Sequence, residues 1–222
     1  MMTKALFGDS RDKGSLGDQF RAKRFKLFLH FLDQLEGQVN ILDVGGAESF
    51  WVNRNFHKRP DVHITLLNLQ AEAVSSPNMS AVAGDATDLG QYADGQFDIV
   101  FSNSVIEHLY TRENQQKMAS ECQRVGQYHF VQTPNKFFPV EPHFRFPLFN
   151  FLPNSLALWI LTSTTLSLGQ KWKPEDAKAT MEEIRLLSKK EFRSLFSEST
   201  LYTERLLFFS KSFILHNFRI KL

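Results

Sequence analysis

The feature that most constrains the fold is an alternation of short apolar runs with segments of helical periodicity. The first run, Val39–Val44, leads directly into Gly45 and Gly46. Further strand patterns follow at residues 62–67, 79–83, 97–101 and 128–132. Thr111 is placed to cap a helix before the last of these, with Met118, Cys122 and Val125 on its inner face and Gly126 at its end. Strands that alternate with helices predict a mostly parallel α/β sheet with right-handed crossovers.

The two ends of the chain add helices and a final pair of strands. Residues 18–36 have helical periodicity, with Asp18 as the expected cap and Gly37 as the expected stop. Residues 49–57 predict a short helix after the glycine turn. Ser188 and Glu191 have the spacing of a capping box at the start of a late helix. Residues 201–209 and 212–218 then predict two closing strands, paired antiparallel, which makes seven strands in all.

Length and composition bound the class of protein. A chain of 222 residues fits a single domain with a modest insertion. Its net charge of +2 offers no broad positive field, so we expect no nucleic-acid partner. The single cysteine excludes an internal disulfide and a cysteine-based metal cluster. The N-terminus lacks an apolar run of signal-peptide length, which predicts a cytoplasmic protein.

The regular alternation breaks after strand five, where prolines interrupt the chain at Pro134, Pro139, Pro142, Pro147 and Pro153. Residues 144–168 are strongly apolar, but the uninterrupted stretch 156–168 is shorter than the ~20 residues of a membrane span. We predict an apolar cap that shapes an acceptor pocket or contacts a membrane surface. These side chains could instead fill a core or a dimer interface, so the oligomeric state stays open.

These boundaries divide the single domain of residues 1–222 into regions. We assign an N-terminal arm and helix to 1–36 and a cofactor-binding core to 37–133. The cap or lid insertion follows at 134–175, and a C-terminal helix with the closing strands at 176–222.

The glycine turn is the first candidate for chemistry. A strand that ends in glycines before a helix brings backbone N–H groups close to a ligand. A dinucleotide fold requires Gly-x-Gly-x-x-Gly with an acid after the next strand, and the segment from Gly45 to Phe50 does not fit that pattern. Here the acid, Asp43, precedes the glycines, which suits a ligand with an ammonium or sulfonium group. A plain strand–turn–helix remains the alternative.

Further candidate residues follow the carboxyl ends of the next strands, where ligands bind in open α/β sheets. They are Asn68 and Leu69 after strand two, Asp85 and Ala86 after strand three, and Ser102 and Asn103 after strand four. A side chain at position 68 can reach ribose hydroxyls, and a carboxylate at 85 can accept from an adenine amine. Asp85 could equally be a helix cap.

In this order the pieces resemble the class I S-adenosyl-L-methionine (SAM)-dependent methyltransferases, in the small-molecule branch with quinone- and sugar-modifying members. The resemblance covers residues 39–134 and implies a Rossmann-like, mostly parallel seven-stranded sheet flanked by helices, with the apolar cap inserted after strand five. It implies SAM as cofactor, with the methionine part on the backbone of Gly45, Gly46 and Ala47. It further implies that Asn68 holds the ribose, that Asp85 and Ala86 read the adenine, and that Ser102 and Asn103 line the methyl-donor end.

Two departures from the family pattern occur, one in the glycine turn and one after strand two. Ala47 and Ser49 replace glycines, and Asn68 replaces the customary acid that binds ribose. A lost charge-assisted hydrogen bond costs about 1–3 kcal/mol, so we expect weaker cofactor binding. The same departures motivate one alternative, a degenerate non-catalytic binding protein. A second alternative is an NAD(P)-dependent oxidoreductase.

The candidate catalytic bases are His143 and His108, with Glu107 and Glu141 beside them. His143 lies in the insertion, and for both histidines a structural role is an open alternative. We see no His, Asp or Glu set at metal-ligand spacing and predict no metal. The stretches around Thr133-Pro134-Asn135 and Glu141-Pro142-His143 resemble bacterial cell-surface polysaccharide methyltransferases. That resemblance implies a small-molecule or lipid-linked acceptor, such as a sugar, with oxygen or nitrogen as the methylated atom.

Overall fold

A computed structural model describes residues 15–219 and divides the chain into two compact units. Of the described residues, 15–36 and 219 belong to one unit, and Gly37–Phe218 form the other.

The first unit contains one described helix, α1, at Leu16–Leu32. Its cap is Ser15 and not Asp18, because the Ser15 hydroxyl accepts a hydrogen bond from the Asp18 backbone N–H at 3.1 Å. The helix also ends before the predicted residue 36. Backbone bonds from Gln34 to Phe31 and from Leu35 to Leu32 replace the α-helical spacing with tighter turns at this end.

The second unit is built on a seven-stranded sheet in the order β3-β2-β1-β4-β5-β9-β8. Strands β1 to β5 are parallel, and β9 joins β5 in the antiparallel direction. Their bounds are β1 Val39–Val44, β2 Val62–Asn68, β3 Met79–Ala83, β4 Phe97–Asn103, β5 Gly126–Pro134, β8 Thr200–Leu206 and β9 Phe209–His216. The strand order reverses between β1 and β4, so the carboxyl ends of these neighbours border the crevice where ligands bind in such sheets.

The predicted sheet is confirmed, and strands β2, β4, β5 and β9 are longer than expected. Strand β4 continues through Ser102 and Asn103 because Ser102 pairs with Val44 on one side and Asn103 pairs with Gln132 on the other. The closing hairpin is confirmed as antiparallel, but its turn lies at residues 207–208 and not at 210–211. Leu207 takes the left-handed conformation there, with φ of 54°.

The remaining helices of this unit are α2 Glu48–Val52, α3 Arg112–Val125, α4 Asn154–Ser163, α5 Pro174–Glu183 and α6 Lys189–Leu195. The predicted helix at 49–57 is wrong in extent. Asn55 adopts a left-handed φ of 63°, which separates α2 from a short 3₁₀ turn at Phe56–Lys58. The capping box at Ser188 and Glu191 is confirmed, with both reciprocal hydrogen bonds present.

The main core lies between the sheet and helices α3 and α6. Met118, Cys122 and Val125 are fully buried in it, as their helical spacing predicts. Trp51 and Phe101 form another packed pair with ring centroids 5.3 Å apart, and Phe101 stacks on Phe130 at 5.7 Å. This packing fixes the carboxyl ends of β1, β4 and β5 against one another.

Residues 134–175 form elements of their own. Strands β6 Val140–Glu141 and β7 Phe146–Pro147 pair antiparallel, and a 3₁₀ turn at Phe149–Phe151 precedes α4. Together with α5, they enclose a small apolar cluster of Phe144, Phe149, Ala157, Leu161 and Ala177. Within residues 15–219, no helix combines the length and the apolar character that a membrane crossing requires.

Candidate functional site

The glycine turn after β1 depends on glycine at position 45. Gly45 has a φ of +75°, a conformation that side chains disfavour, and its N–H donates to the Leu67 carbonyl at 2.8 Å. A β carbon at this position would meet the Val105 side chain at 2.5 Å. The turn therefore ties the ends of β1 and β2 together and packs directly under the segment that follows β4.

Gly46 is required for a different reason. A β carbon here would lie 1.7 Å from a carboxylate oxygen of Asp43. Asp43 is buried, and its Oδ2 accepts a hydrogen bond from the Trp51 indole N–H at 2.6 Å. Burial raises the pKa of Asp43 to about 7, although the bond from Trp51 acts in the opposite direction. Asp43 thus supports the turn from beneath, and its contact with a ligand cation stays a prediction.

The missing glycines leave the turn unstrained. Ala47 is extended, with φ of −128° and ψ of 142°, and serves as the residue before α2, while Ser49 lies within that helix. Neither position takes the left-handed conformation that would have strained a residue with a β carbon. The replacement of glycine at these two positions therefore places no strain on this backbone.

Asn68, at the end of β2, holds the turn in place. Its side-chain amide donates to the Gly46 carbonyl at 2.8 Å, and its own carbonyl accepts from the Gly84 N–H at 2.8 Å. An aspartate could not donate to Gly46, so asparagine gains a contact that the customary acid lacks. The side-chain oxygen of Asn68 is the group left to accept from a ribose hydroxyl.

A cavity of about 220 Å³ opens beside the glycine turn. Its lining includes Gly46, Ala47, Ser49, Asn68 and Glu72. This volume is below the ~300–1,000 Å³ of typical ligand pockets, so it accommodates only part of a nucleoside-sized ligand. Of the predicted cofactor residues, Gly46, Ala47 and Asn68 line the cavity, whereas Asp43 and Ser102 are buried within their strands.

Two acidic residues beside this cavity were missed by the sequence analysis. Glu48 accepts four hydrogen bonds, from the backbone and hydroxyl groups of Ser75 and Ser76, and the bonds from Ser76 and Ser75 lower its pKa to about 2. Glu48 thereby ties the loop after β2 to the start of α2, and Glu72 on that loop brings a carboxylate next to Asn68. No local motif marks either residue, because the contacts of both depend on where the folded chain places the loop after β2.

The predicted adenine residues, Asp85 and Ala86, lie past the end of β3. Asp85 forms a turn in which its Oδ1 accepts from the Thr87 N–H and hydroxyl, both at 2.8 Å, so it caps a turn and not a helix. Ala86 packs against the main core. Leu69, after β2, exposes 80 % of its surface at the carboxyl edge of the sheet. Burial of this apolar side chain by a ligand would contribute favourable free energy.

Ser102 and Asn103 end β4 beside the crevice. The Ser102 hydroxyl is fully buried and, among the described residues, has no hydrogen-bond partner. Ser104 follows in the left-handed conformation and donates to the Gln132 side chain at 2.8 Å. An unpaired buried hydroxyl is costly, so this group at the switch point is a candidate to meet a ligand.

Two histidines face each other beyond the ends of β4 and β5. His108 ends a 3₁₀ turn at Ile106–His108, and its Nε2 lies 3.2 Å from the Nε2 of His143. The Nδ1 atom of His108 lies 2.8 Å from Glu183, and that of His143 lies 2.6 Å from Glu141. Both candidate catalytic residues are therefore brought together, although 35 positions separate them in the sequence.

Glu107 completes this cluster from below. It is fully buried, with one oxygen accepting from the Thr133 hydroxyl at 3.0 Å and the other without a hydrogen-bond partner in the described part of the chain. Burial raises the pKa of Glu107, although the nearby histidines lower it. Burial acts to lower the pKa of His143, but the hydrogen bond to Glu141 and the surrounding carboxylates raise it overall.

One potential metal-ligand atom from each of Glu107, His108 and His143 lies within 4.8 Å of the others, a grouping that spacing along the sequence did not predict.

The sheet order and the glycine turn are similar to those of the fold that class I SAM-dependent methyltransferases share. Residues 42–128 match the sequence model of a family described as a methyltransferase domain. S-adenosyl-L-methionine is the cofactor of the methyltransferases that share this fold, and the unpaired Ser102 hydroxyl and the exposed Leu69 at the carboxyl edge of the sheet are groups that such a ligand would cover.

The solved structures that the chain resembles show the same fold at low identity. A SAM-dependent methyltransferase from Methanosarcina mazei has 13 % identity and a TM-score of 0.54, covering 85 % of this chain and 95 % of its own. The CurJ carbon methyltransferase has 8 % identity and a TM-score of 0.57, covering 97 % of this chain and 57 % of its own.

Curated relatives match over a shorter stretch. Two uncharacterized proteins from strains of Mycobacterium tuberculosis are 40 % identical over 58 residues, which is 26 % of this chain and 20 % of each relative. The chain therefore matches about one fifth of the length of these relatives.

Proposed function

We propose that this protein transfers the methyl group of SAM to a small-molecule or lipid-linked acceptor. The observation that carries the proposal is the glycine turn at Gly45 and Gly46, which follows β1 at the point where the strand order of the sheet reverses. When bound, SAM supplies a methyl group activated by the sulfonium. The task of the protein is to orient the acceptor and exclude water.

The residues of the carboxyl edge take separate parts of the cofactor. The backbone of Gly45, Gly46 and Ala47 receives the methionine part, as helix-preceding turns receive polar ligands elsewhere. Asp85 and Ala86, with the apolar surface of Leu69, bind the adenine. Ser102 and Asn103 line the methyl-donor end.

The ribose is shared between two side chains in this proposal. Asn68 accepts from one hydroxyl through its side-chain oxygen, since its amide is engaged by Gly46. Glu72 lines the same cavity and offers the carboxylate that position 68 lacks. A carboxylate is the stronger acceptor, so Glu72 offsets part of the affinity that the asparagine forgoes.

His143 and His108 serve the acceptor. For an oxygen acceptor, the pair takes up the hydroxyl proton as general base. Glu141 holds the His143 ring through Nδ1, which directs Nε2 toward His108 and the space around it. Glu183 does the same for His108. For these two carboxylates we propose a positioning role.

The apolar surface of residues 134–175 favours a lipid-linked acceptor, such as a lipid-linked sugar. Side chains that expose large apolar surfaces are clustered in this segment, namely Phe137, Leu148, Phe151, Leu156, Trp159 and Leu166. Such a surface suits an acceptor chain or the surface of a membrane.

The test is isothermal titration with S-adenosylhomocysteine, with NADH in parallel. We expect micromolar binding of S-adenosylhomocysteine that is weakened at least tenfold in Asp85→Asn, which keeps an oxygen for the turn to Thr87 but removes the charge. The matched control is Asp88→Ala, because Asp88 forms a similar turn, with Gly90, and has no assigned role.

The outcomes separate the alternatives. Binding of S-adenosylhomocysteine that Asp85→Asn loses and Asp88→Ala keeps supports the site and justifies a screen of acceptors that begins with lipid-linked sugars. Absence of binding in the native protein refutes the proposal in favour of a degenerate binding protein. Binding of NADH alone would favour an oxidoreductase.

A further inference from the structure

We propose that Glu107, His108 and His143 form a binding site for a divalent transition-metal ion beside the acceptor. The site lies beyond the ends of β4 and β5. Glu107 and His108 belong to the 3₁₀ turn that directly follows Val105, and the Val105 side chain packs on Gly45. Its role in methyl transfer rests on the proposed function, whereas metal binding itself does not.

The first argument is the orientation of the two imidazoles. Each Nδ1 lies within hydrogen-bond distance of a carboxylate, at 2.8 Å for His108 and 2.6 Å for His143. A carboxylate accepts, so Nδ1 carries the proton and each Nε2 presents a lone pair. Two lone pairs that face each other at 3.2 Å repel unless a cation or a proton lies between them. Carboxylate–histidine–metal arrangements orient histidine ligands in this way.

The second argument is distance. Imidazole nitrogens bind zinc at about 2.0–2.1 Å, so two of them on one tetrahedral ion are separated by about 3.3 Å. The observed Nε2–Nε2 separation of 3.2 Å matches this value without movement of either ring. The ring planes are nearly perpendicular, at 85°, so the two imidazoles meet at their edges and do not stack.

The third argument is Glu107. It is fully buried, and one carboxylate oxygen has no hydrogen-bond partner among the described residues. A ligand oxygen of Glu107 lies within 4.8 Å of both histidine nitrogens, so a side-chain shift of about 1–2 Å would complete a three-ligand set. An unpaired buried oxygen is costly, and coordination would satisfy it.

The charge of the surroundings agrees with a cation. Three carboxylates, those of Glu107, Glu141 and Glu183, surround two imidazoles. Three carboxyl groups around two imidazoles are a set of side chains that accommodates a divalent ion.

The ligand set also selects the kind of ion. Two imidazoles with one carboxylate suit zinc, cobalt, manganese or iron, whereas magnesium and calcium prefer oxygen ligands alone. Three protein ligands leave open positions at which an acceptor hydroxyl can bind. The ion would lower the pKa of that hydroxyl, so that its proton would pass to solvent water. With the ion bound, His108 and His143 would act as ligands, and they would act as the base only in its absence.

The experiment uses the full chain without an affinity tag, treated with chelator and then titrated with Co²⁺. We expect one Co²⁺ per chain with micromolar or tighter affinity, together with visible d–d absorption bands that report nitrogen and oxygen ligands. His108→Asn and His143→Asn should each weaken binding at least tenfold and change the bands. The control His63→Asn removes a histidine that lies beside Ser80 and should bind as the native protein does.

Further variants keep the test decisive. Glu107→Gln retains an oxygen for Thr133 and removes the charged ligand, so it should weaken Co²⁺ binding even if a histidine variant fails to fold. Glu183→Gln should weaken binding while leaving one ion per chain, since Glu183 positions a ligand and is not one.

Two results would overturn the proposal. One is absence of stoichiometric Co²⁺ binding, which would leave a proton shared between the histidines as the explanation of their contact. The other is binding that His108→Asn, His143→Asn and Glu107→Gln leave unchanged. Titration of the same samples with S-adenosylhomocysteine separates this failure from failure of the proposed function, because cofactor binding does not involve the three ligands.

Discussion

Replacing Gly46 with alanine tests the physical basis of the turn. The new β carbon would lie 1.7 Å from the Asp43 Oδ2 and 2.1 Å from its Cγ, so the buried carboxylate has to move. Overpacking of this kind costs about 1–3 kcal/mol. Movement of the carboxylate away from Trp51 breaks a buried hydrogen bond, which adds about 1–3 kcal/mol. We therefore expect Gly46→Ala to lower the free energy of unfolding by about 2–6 kcal/mol, measured by urea denaturation.

A double-mutant cycle assigns this cost to Asp43. In an Asp43→Ala background the carboxylate is absent, so Gly46→Ala should cost at least about 2 kcal/mol less than it does in the native chain. Gly90→Ala is the control, because its β carbon would meet only the exposed Asp88 side chain, at 3.2 Å, and should change stability by less than about 0.5 kcal/mol. An equal cost of Gly46→Ala in both backgrounds would show that the Asp43 carboxylate is not what excludes a side chain at position 46.

Three further predictions concern single side chains. Asp43 has a pKa of about 7 in the folded protein, so the native state keeps a proton that the unfolded chain has released, and stability from this group falls as pH rises from about 4 to about 7. Between pH 5 and pH 8, Asp43→Asn should therefore gain about 3 kcal/mol relative to the native protein in urea denaturation, and a constant difference would contradict this account. Cys122 is fully buried with its pKa raised to about 12 by burial and the charge of Glu121, so a thiol reagent should modify it only in denaturant; rapid modification of the folded protein would disprove its burial. Ser188→Ala removes the side-chain acceptor of the capping box and should lower the free energy of unfolding by about 1 kcal/mol, an effect that an unchanged thermal transition would exclude.

Local sequence patterns predicted much of the sheet. The bounds of β1 and β3 coincide with their predictions, because a buried strand between turn residues is marked by its own apolar run. The glycine turn and the capping box were also found from adjacent residues, since both features are made by neighbours in the chain. Strand ends were less accurate where pairing continues through polar residues, as at Ser102 and Asn103.

The candidate site was predicted only in part, because some of its residues are brought together by contacts between distant parts of the chain. The residues after each parallel strand were found because the carboxyl ends of such strands meet at one edge. Glu48 and Glu72 were missed because they depend on the loop after β2, which carries no motif. This loop brings Ser75 and Ser76 to Glu48, and it places Glu72 in the lining of the cavity that Asn68 also lines.

The sequence by itself determined the alternation of strands and helices, the turn at Gly45 and Gly46, and the polar residues that follow the strands. These features depend on interactions between residues that are close along the chain, so they are visible as patterns. Only the tertiary structure decided that Asp43 pairs with Trp51 beneath the turn and that His108 meets His143 above a buried Glu107. The two histidines come from segments 35 residues apart, and it is the packing of the chain after β4 against the chain after β5 that brings their nitrogens to 3.2 Å.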